Sequence, residues 1–448
     1  MQNNKVSLVE TESRLKTLVQ DILAEAKRQG ASDAEVSASE DVGLGVTVRK
    51  GELETVEFNH DRGFGITVYF GQRKGSASTS DASSEAIRET VAAAANIARY
   101  TEEDPCAGLP DPALLAKKIP ELDLRHDWDI DPERAQTLAR DCEQAGLGFD
   151  TRISNSEGAE VSTQQSCRAY GNSLGFIGGY LGTRHGLSCV LIAEDDSGMQ
   201  RDYWYTVNRN PDLLEDAQAV GIEAARRTTA RLSPRRIPTG TVPVLFAPQV
   251  AGGLAGHLLS AISGGAQYRK ATYLLDSLGQ RVAADHLQLR EFPHLPGQLG
   301  SAGFDAEGVA TAEKSFIADG VVENYVLSSY SGRKLGLPTT GNAGGVFNLT
   351  LSGTTRPAAE LLKLMDTGLL VTDLMGQGIN GVTGDYSRGA AGFWVENGEI
   401  AFAVDEVTIA ANLKDMFMNV VALGDDLDNR GNIRAPSLLL EGMTVAGT

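Results

Sequence analysis

The segment from Gly376 to Ile400 is the most informative part of this 448-residue sequence, because it places charged and aromatic side chains among glycines. In its first half, Asp385, Tyr386 and Arg388 bring an acid, a phenol and a guanidinium together between two glycines. These groups could bind a substrate or partner surface, or form an internal turn held by a salt bridge, and the sequence leaves both alternatives open. The second half predicts a simple hairpin. The first half is therefore a candidate site or interface.

Histidine spacing does not predict a metal site. No two of the six histidines are four residues apart, as two metal ligands on one face of a helix would be. A P-loop is absent as well. The sequence therefore gives no complete catalytic site. The six histidines are His60, His126, His185, His257, His286 and His294.

Four basic or aromatic-ring side chains in the second half are further candidates for binding a substrate or partner. His257 flanks the apolar stripe of a predicted helix, which favours a half-buried, hydrogen-bonded histidine over a peptide contact. Arg269 and Lys270 follow two glycines, and they either end a solvated helix or hold a peptide carboxylate or an acidic partner surface. Arg333 follows a predicted short strand with aromatic and serine residues, and it is expected to be exposed.

Charge and hydropathy exclude several classes of function. The chain has 40 basic and 59 acidic residues, for a net charge of −19, which argues against direct binding to nucleic acid or to an anionic membrane. No apolar run is long enough to span a bilayer, and the polar start lacks the pattern of a signal peptide. We therefore expect a cytoplasmic protein. The four cysteines form no C-x-x-C pair, which favours reduced thiols.

Hydrophobic periodicity predicts an α+β fold in the first half of the chain. Residues 12–29 carry apolar side chains at helical spacing and end at Gly30. Four or five short alternating segments between residues 35 and 78 predict an antiparallel meander. An alanine-rich helix then runs to about Tyr100. The helices should pack on the sheet.

Two prolines and a glycine after a long predicted helix mark a domain boundary at residues 232–240. We therefore predict an N-terminal α+β domain over residues 1–231, with a possible subdivision near residues 101–132. Residues 240–448 should form a mostly β, glycine-rich domain with a barrel-like or strongly bent sheet.

Several stretches together resemble the PmbA (TldE) branch of the TldD/PmbA family. They are the helix at 248–262 with Arg269-Lys270, the segments 330–336 and 376–400, and the shorter matches 56–59, 65–69, 74–78, 104–108 and 201–203. The resemblance implies membership of a family of metallopeptidases and modulators of DNA gyrase, in which TldD and PmbA subunits combine to cut unfolded or leader-bearing peptides. The TldD branch carries H-E-x-x-x-H on the corresponding helix and a cysteine near the C-terminus that completes its zinc site.

This chain departs from the zinc motif of the TldD branch. Alignment through Arg269-Lys270 places Gly256, His257 and Ala261 where the TldD branch has His, Glu and His, and every cysteine precedes residue 190. Glycine and alanine cannot bind a metal, and the general base is missing too. The resemblance therefore implies no catalytic residue and no metal in this chain, with zinc expected in a TldD-type partner.

Three functions remain open at this point. The chain is expected to be the non-catalytic subunit of a cytoplasmic two-chain metalloprotease, which presents unfolded or leader peptides as an added strand to glycine-rich sheet edges, while a TldD-type partner brings zinc, its ligands and the general base. Alternatively, it is a metalloprotease in its own right with an unrecognised metal site. A third alternative is a protein-binding regulator of gyrase or of a carbon-storage regulator. A homodimer is possible when the partner is absent.

Overall fold

The structure, a computed structural model, describes residues 8–447. In the first half, six antiparallel strands form one sheet in the order β3-β2-β1-β4-β5-β6. Because β1 pairs with β4, the strands on both sides of residues 101–132 belong to the same sheet. The strands are β1 (Asp33–Arg49), β2 (Glu52–Phe70), β3 (Arg73–Thr79), β4 (Ile153–Asn172), β5 (Ile177–Asp195) and β6 (Gly198–Asn208).

Four helices cover one face of this sheet: α1 (Leu8–Arg28), α2 (Ser84–Tyr100), α3 (Pro132–Leu147) and α4 (Ala217–Ala230). Leu15, Val19 and Ile22 of α1 are fully buried against the sheet, as their helical spacing predicts. Helices α3 and α4 cover the other part of the same face. The opposite face of the sheet is left free for the C-terminal half and solvent.

The prediction of four or five short strands between residues 35 and 78 is wrong. The structure has three strands there, and two of them span 17 and 19 residues. Gly43, Gly63 and Gly65 lie inside the strands and do not interrupt them. Glycine lacks only a side chain, so a strand tolerates it where its neighbours supply the packing.

The second half contains a closed five-stranded barrel. Strands β7, β13, β14, β15 and β18 pair in sequence, and β18 closes the barrel by pairing with both β15 and β7. A second sheet has the order β10-β9-β8-β11-β17. The strands are β7 (Gly240–Phe246), β8 (Gln288–Glu291), β9 (Lys314–Ala318), β10 (Val321–Val322), β11 (Leu349–Ser352), β12 (Thr355–Arg356), β13 (Gly368–Met375), β14 (Asp385–Glu396), β15 (Glu399–Asn412), β16 (Val420–Gly424), β17 (Ile433–Arg434) and β18 (Leu438–Ala446).

Five helices accompany these sheets: α5 (Pro248–Ala261), α6 (Gly264–Tyr268), α7 (Ser329–Leu335), α8 (Ala358–Met365) and α9 (Leu413–Met418). The predicted α+β class, with N-terminal helices on an antiparallel sheet and a barrel-like C-terminal domain, is confirmed. Residues 232–239 join α4 to β7 without helix or strand. None of the helices within residues 8–447 is both long and apolar enough to cross a bilayer.

Candidate functional site

A cleft of about 960 Å³ separates the free face of the N-terminal sheet from loops of the C-terminal half. Residues paired directly across antiparallel strands point to the same face of a sheet. One such row, which crosses four strands, forms the floor of the cleft. It consists of Ser78, Gly65, Ser37 and Tyr170. The roof includes Phe304, Ala306 and Phe347.

Glycines leave this floor without large side chains, and the neighbouring serines supply it with hydroxyl groups. A Cβ atom at Gly65 would lie 2.7 Å from the Ser37 hydroxyl oxygen, and one at Gly63 would lie 3.2 Å from that of Ser39. Because no side chain rises from either glycine, an extended backbone can approach the sheet closely. The serine hydroxyls can both donate and accept hydrogen bonds. The floor therefore suits a peptide without selecting its side chains.

One guanidinium group at the floor of the cleft is already paired with a carboxylate. Arg168 contributes to the floor and donates to Asp41 at 2.8 Å. The Arg62 side chain points to the opposite face of the sheet, where it lies 3.4 Å from Glu40, which Arg14 of α1 and His60 also contact. Arg168 can still offer its remaining N–H groups to a ligand.

Carboxylates without an ion-pair partner in residues 8–447 lie on the other side of the floor row. Glu35 accepts hydrogen bonds from the hydroxyls of Tyr69 and Tyr170 at 2.8 and 3.0 Å. Asp305 accepts three backbone N–H bonds, and its burial raises the pKa of that carboxyl to about 6. An ion-paired arginine therefore lies on one side of the floor row, and Glu35, without an ion-pair partner in the described residues, lies on the other, with Asp305 in the roof.

Helix α5 does not provide a zinc site. A Cβ atom at Gly256 would lie 3.6 Å from the side chain of Ile433, so an apolar residue packs on this glycine. Ala261 is buried. Within residues 8–447, no three His, Cys, Asp or Glu side chains are grouped in a way that could hold a metal ion. The residue types on α5 therefore do not fit the zinc site that the resemblance assigns to the TldD branch.

The structure brings together three of the residues that the sequence singled out. The ring of His257 packs edge-on against that of Tyr386, with 6.1 Å between the ring centroids. Burial, aided by the positive charge of Arg388, lowers the pKa of His257. Tyr386 and Arg388 lie two residues apart on β14. The three side chains form a cluster of hydrogen-bond donors, named here the donor cluster.

Asp385 takes no part in the donor cluster. It begins β14, and its carboxylate accepts hydrogen bonds from Thr383 at 2.6 Å and from Asn412 at 3.2 Å. In the described part of the chain, no ion pair joins Asp385 to Arg388.

Arg269 and Lys270 are exposed immediately after the short helix α6. Arg269 donates to the Tyr268 hydroxyl at 3.1 Å and keeps its other donors available. Neither residue lines the cleft described above. Their position is therefore compatible with contact to a peptide carboxylate or an acidic partner.

Arg333 lies on helix α7, so the prediction that it follows a strand is wrong. The Ser328 side chain caps this helix, and Gly336 ends it in the left-handed region with φ 68°. The exposed guanidinium of Arg333 donates to the backbone carbonyls of Cys106, Gly108 and Leu109. It therefore holds the connecting segment of residues 101–111 against the C-terminal half.

We expect Arg333→Ala to loosen this connection. Losing hydrogen bonds from a charged donor to three carbonyls should lower the free energy of unfolding by about 1 to 2 kcal/mol. Cleavage of residues 104–111 by an added protease should become faster. Arg333→Lys should lose nearly as much, because one ammonium cannot reproduce the planar fork of a guanidinium. A variant with unchanged stability and protease resistance but impaired peptide handling would instead make Arg333 a functional contact.

Two short glycine motifs that reasoning from the sequence overlooked prove to be structural. Residues 171–175 match G-x-S-x-G, but they connect β4 to β5, and Ser173 donates to Asp33 at 3.0 Å. A nucleophile elbow requires a strand followed by a helix. Residues 376–381 match G-x-G-x-x-G, yet they lead into strand β14 and not into a phosphate-binding helix.

A repeat of serines in the sequence is the pattern that indicates the cleft floor. Serines recur at every second position in β1 and β3, as Ser37, Ser39, Ser76 and Ser78. Such a repeat places hydroxyls on one face of a strand. None of the seven candidate residues taken from the sequence lines this cleft within the described chain.

Three profiles of one family match consecutive parts of the chain. They are PmbA/TldA metallopeptidase domain 1 at residues 34–98, the central domain at residues 125–232 and the C-terminal domain at residues 239–447. Metalloprotease PmbA of Escherichia coli O157:H7 is 51% identical over 425 residues, which cover 95% of this chain and 94% of that protein. A metalloprotease PmbA homolog of Haemophilus influenzae is 46% identical, covering 100% of this chain and 99% of that protein.

Solved structures share the fold over nearly the whole chain. A crystal structure of a modulator of DNA gyrase from Bacteroides thetaiotaomicron has a TM-score of 0.91 at 26% identity, covering 97% of this chain and 99% of that one. TldE from Thermococcus kodakarensis has a TM-score of 0.85 at 20% identity, covering 96% and 100%, and so supports the fold alone. The chain therefore belongs to the PmbA/TldD metallopeptidase family, on the branch of the PmbA proteins.

Proposed function

We propose that this chain is the non-catalytic subunit of a cytoplasmic two-chain metallopeptidase that cleaves unfolded or leader peptides. One observation carries the proposal: Gly256 and Ala261 stand where the zinc-binding branch has imidazoles, and Ile433 packs on Gly256. Zinc in a hydrolytic site needs about three protein ligands and an open position for water. A TldD-type partner would supply the metal, its ligands and the general base.

The role of this chain is then to hold the peptide. The cleft falls within the size range of ordinary ligand sites, and its glycine and serine floor allows a peptide backbone to lie against the sheet. Hydrogen bonds to the backbone bind many sequences with similar strength, which an enzyme for unfolded peptides needs. The exposed pair Arg269 and Lys270 would contact an acidic partner surface or a peptide carboxylate.

The relatives support a system of two related chains. Proteins named PmbA and TldD both resemble this sequence, and a metalloprotease TldD homolog of Buchnera aphidicola is 22% identical over 279 residues, covering 56% of this chain and 58% of that protein. A relative of the TldD type is the partner that this proposal requires.

A regulatory function is the second candidate, because the similar protein from Bacteroides is described as a modulator of DNA gyrase. The net charge of −19 favours contact with a basic protein over contact with DNA. This function would require no cleft for a peptide.

Metal analysis and cleavage assays would test the proposal. The purified chain alone should contain no stoichiometric zinc and should leave an unfolded peptide intact. The same peptide should be cleaved once a TldD-type subunit is added, at a rate above that of the subunit alone. Stoichiometric zinc together with cleavage by the lone chain would contradict the division of labour.

A further inference from the structure

Among residues 8–447, no carboxylate forms an ion pair with the guanidinium of Arg388. Its Nη2 donates weakly to the Leu374 carbonyl at 3.3 Å, while its Nε is buried and unbonded. Nearby acids are engaged elsewhere, since Asp373 pairs with Arg231 at 3.2 Å and Asp385 binds two neutral donors. A partly buried charge without a partner is costly, so the free donors of Arg388 favour the binding of an anionic group.

The hydroxyl of Tyr386 is a second polar group without a well-formed hydrogen bond in the described residues. Tyr386 is 1% exposed, and its hydroxyl lies beside the Arg388 side chain. Burial raises the pKa of Tyr386 to about 12, an effect that Arg388 partly opposes. The hydroxyl is therefore protonated at neutral pH, and it can donate.

His257 completes the group. Its ring packs on Tyr386 and makes no hydrogen bond within residues 8–447. Burial and, to a lesser extent, Arg388 lower the pKa of His257, which favours the neutral ring with one N–H available to donate. Both His257 and Arg388 are only partly buried, so a small solute can reach them. The neighbouring Gly253 adds no side chain that would block the approach, and nothing lies within 4 Å of where its Cβ atom would be.

We propose that the donor cluster of His257, Tyr386 and Arg388 binds one small oxyanion, a carboxylate or a phosphate. All three groups can donate, one is a fixed cation, and no carboxylate of the described chain lies among them. An oxyanion offers several acceptors and one negative charge or more, and it therefore satisfies every group at once. A metal cation would be repelled by Arg388. The region of α5 that binds a cation in the TldD branch thus binds an anion in this chain.

The anion has two possible sources. It is the carboxylate of a peptide if this chain holds substrate, a source that rests on the proposed function. It is free phosphate if the site is regulatory, and that source is independent of peptide cleavage.

Titration of the full-length chain, without any partner, tests the site and distinguishes the sources. The probes are inorganic phosphate, acetyl-trialanine with a free carboxylate, and the same peptide as its C-terminal amide. Calorimetry gives affinity, and the imidazole signals of the six histidines in NMR show whether His257 senses the ligand. Binding by the acid but not the amide identifies a carboxylate site, whereas binding by phosphate alone identifies a phosphate site.

Variants separate the site from general charge effects. Arg388→Gln should weaken the bound probe about 10-fold or more, because a charge-assisted hydrogen bond is lost. Tyr386→Phe should weaken it several-fold with little change in the unfolding temperature of the free protein, because the hydroxyl loses only its loose contact with Arg388. Arg236→Gln removes an exposed charge elsewhere and should leave the affinity unchanged.

The proposal is overturned if neither anion binds, or if both cluster variants bind as tightly as the wild-type chain. It is also overturned if Tyr386→Phe markedly lowers the unfolding temperature of the free protein, since the hydroxyl would then have a well-formed internal hydrogen bond. None of these measurements depends on peptide cleavage. Anion binding by the donor cluster can therefore be disproved without affecting the proposed function, and the proposed function can be disproved without affecting anion binding.

Discussion

Replacing Ser37 by tryptophan should abolish peptide cleavage by the two-chain complex while leaving this chain folded. Ser37 is exposed at the centre of the floor row, and an indole there would occupy the space in which a peptide backbone would lie. We expect at least about a 100-fold loss of cleavage rate, equivalent to about 2.7 kcal/mol. The measurement is the rate of cleavage of an unfolded peptide with the partner present.

Two controls isolate the effect of filling the cleft. Ser37→Ala removes the hydroxyl without adding bulk and should retain cleavage within a few-fold. Thr355→Trp adds an indole at an exposed strand position outside the cleft and should leave cleavage unchanged. Copurification with the partner must be retained, so that loss of assembly is not mistaken for loss of binding. Full activity of an assembled Ser37→Trp complex would show that the peptide does not pass through this cleft.

Reasoning from the sequence found the elements whose cause is local. The buried stripe of Leu15, Val19 and Ile22 is visible in the helical spacing of α1, and the barrel-like second half is visible in its glycines and short apolar segments. The same reasoning divided β1 and β2 into shorter strands. A glycine inside a strand and a glycine in a turn look alike in one sequence, and only the partner strand distinguishes them.

The candidate site could not be derived in the same way. The cleft floor joins residues near positions 37, 65, 78 and 170, and its roof comes from residues 302–306 and 343–347. Their proximity depends on strand register and on how the two halves pack, which no local pattern encodes. The contact between His257 and Tyr386 likewise joins a helix to a strand 129 positions later. The sequence selected those residues by type, but it could not indicate that they meet.

The glycine-rich segment of residues 376–400 has a structural explanation as well as a chemical one. A Cβ atom at Gly392 would lie 1.9 Å from the carbonyl oxygen of Leu370 on the neighbouring strand β13. The pairing of β14 with each neighbouring strand is irregular near this position. Its register with β13 shifts between Val371 and Asp373, and its register with β15 shifts between Ala390 and Gly392. Such irregularities bend a strand, and a barrel of five strands requires strong bending. Part of the glycine content therefore serves barrel closure.

We accordingly expect Gly392→Ala to destabilise the C-terminal domain severely. The added methyl group would meet backbone atoms, which cannot rotate away as a side chain can, so the barrel strands must separate. The free energy of unfolding should fall by about 3 kcal/mol or more, seen as a lower unfolding temperature and a lower soluble yield. Gly389→Ala is the matched control on the same strand. A Cβ there would meet the Met375 side chain at 3.3 Å, and the stability should change by no more than about 1 kcal/mol. Equal stability of the two variants would mean that β14 can move aside at Gly392, and that the bend does not require glycine.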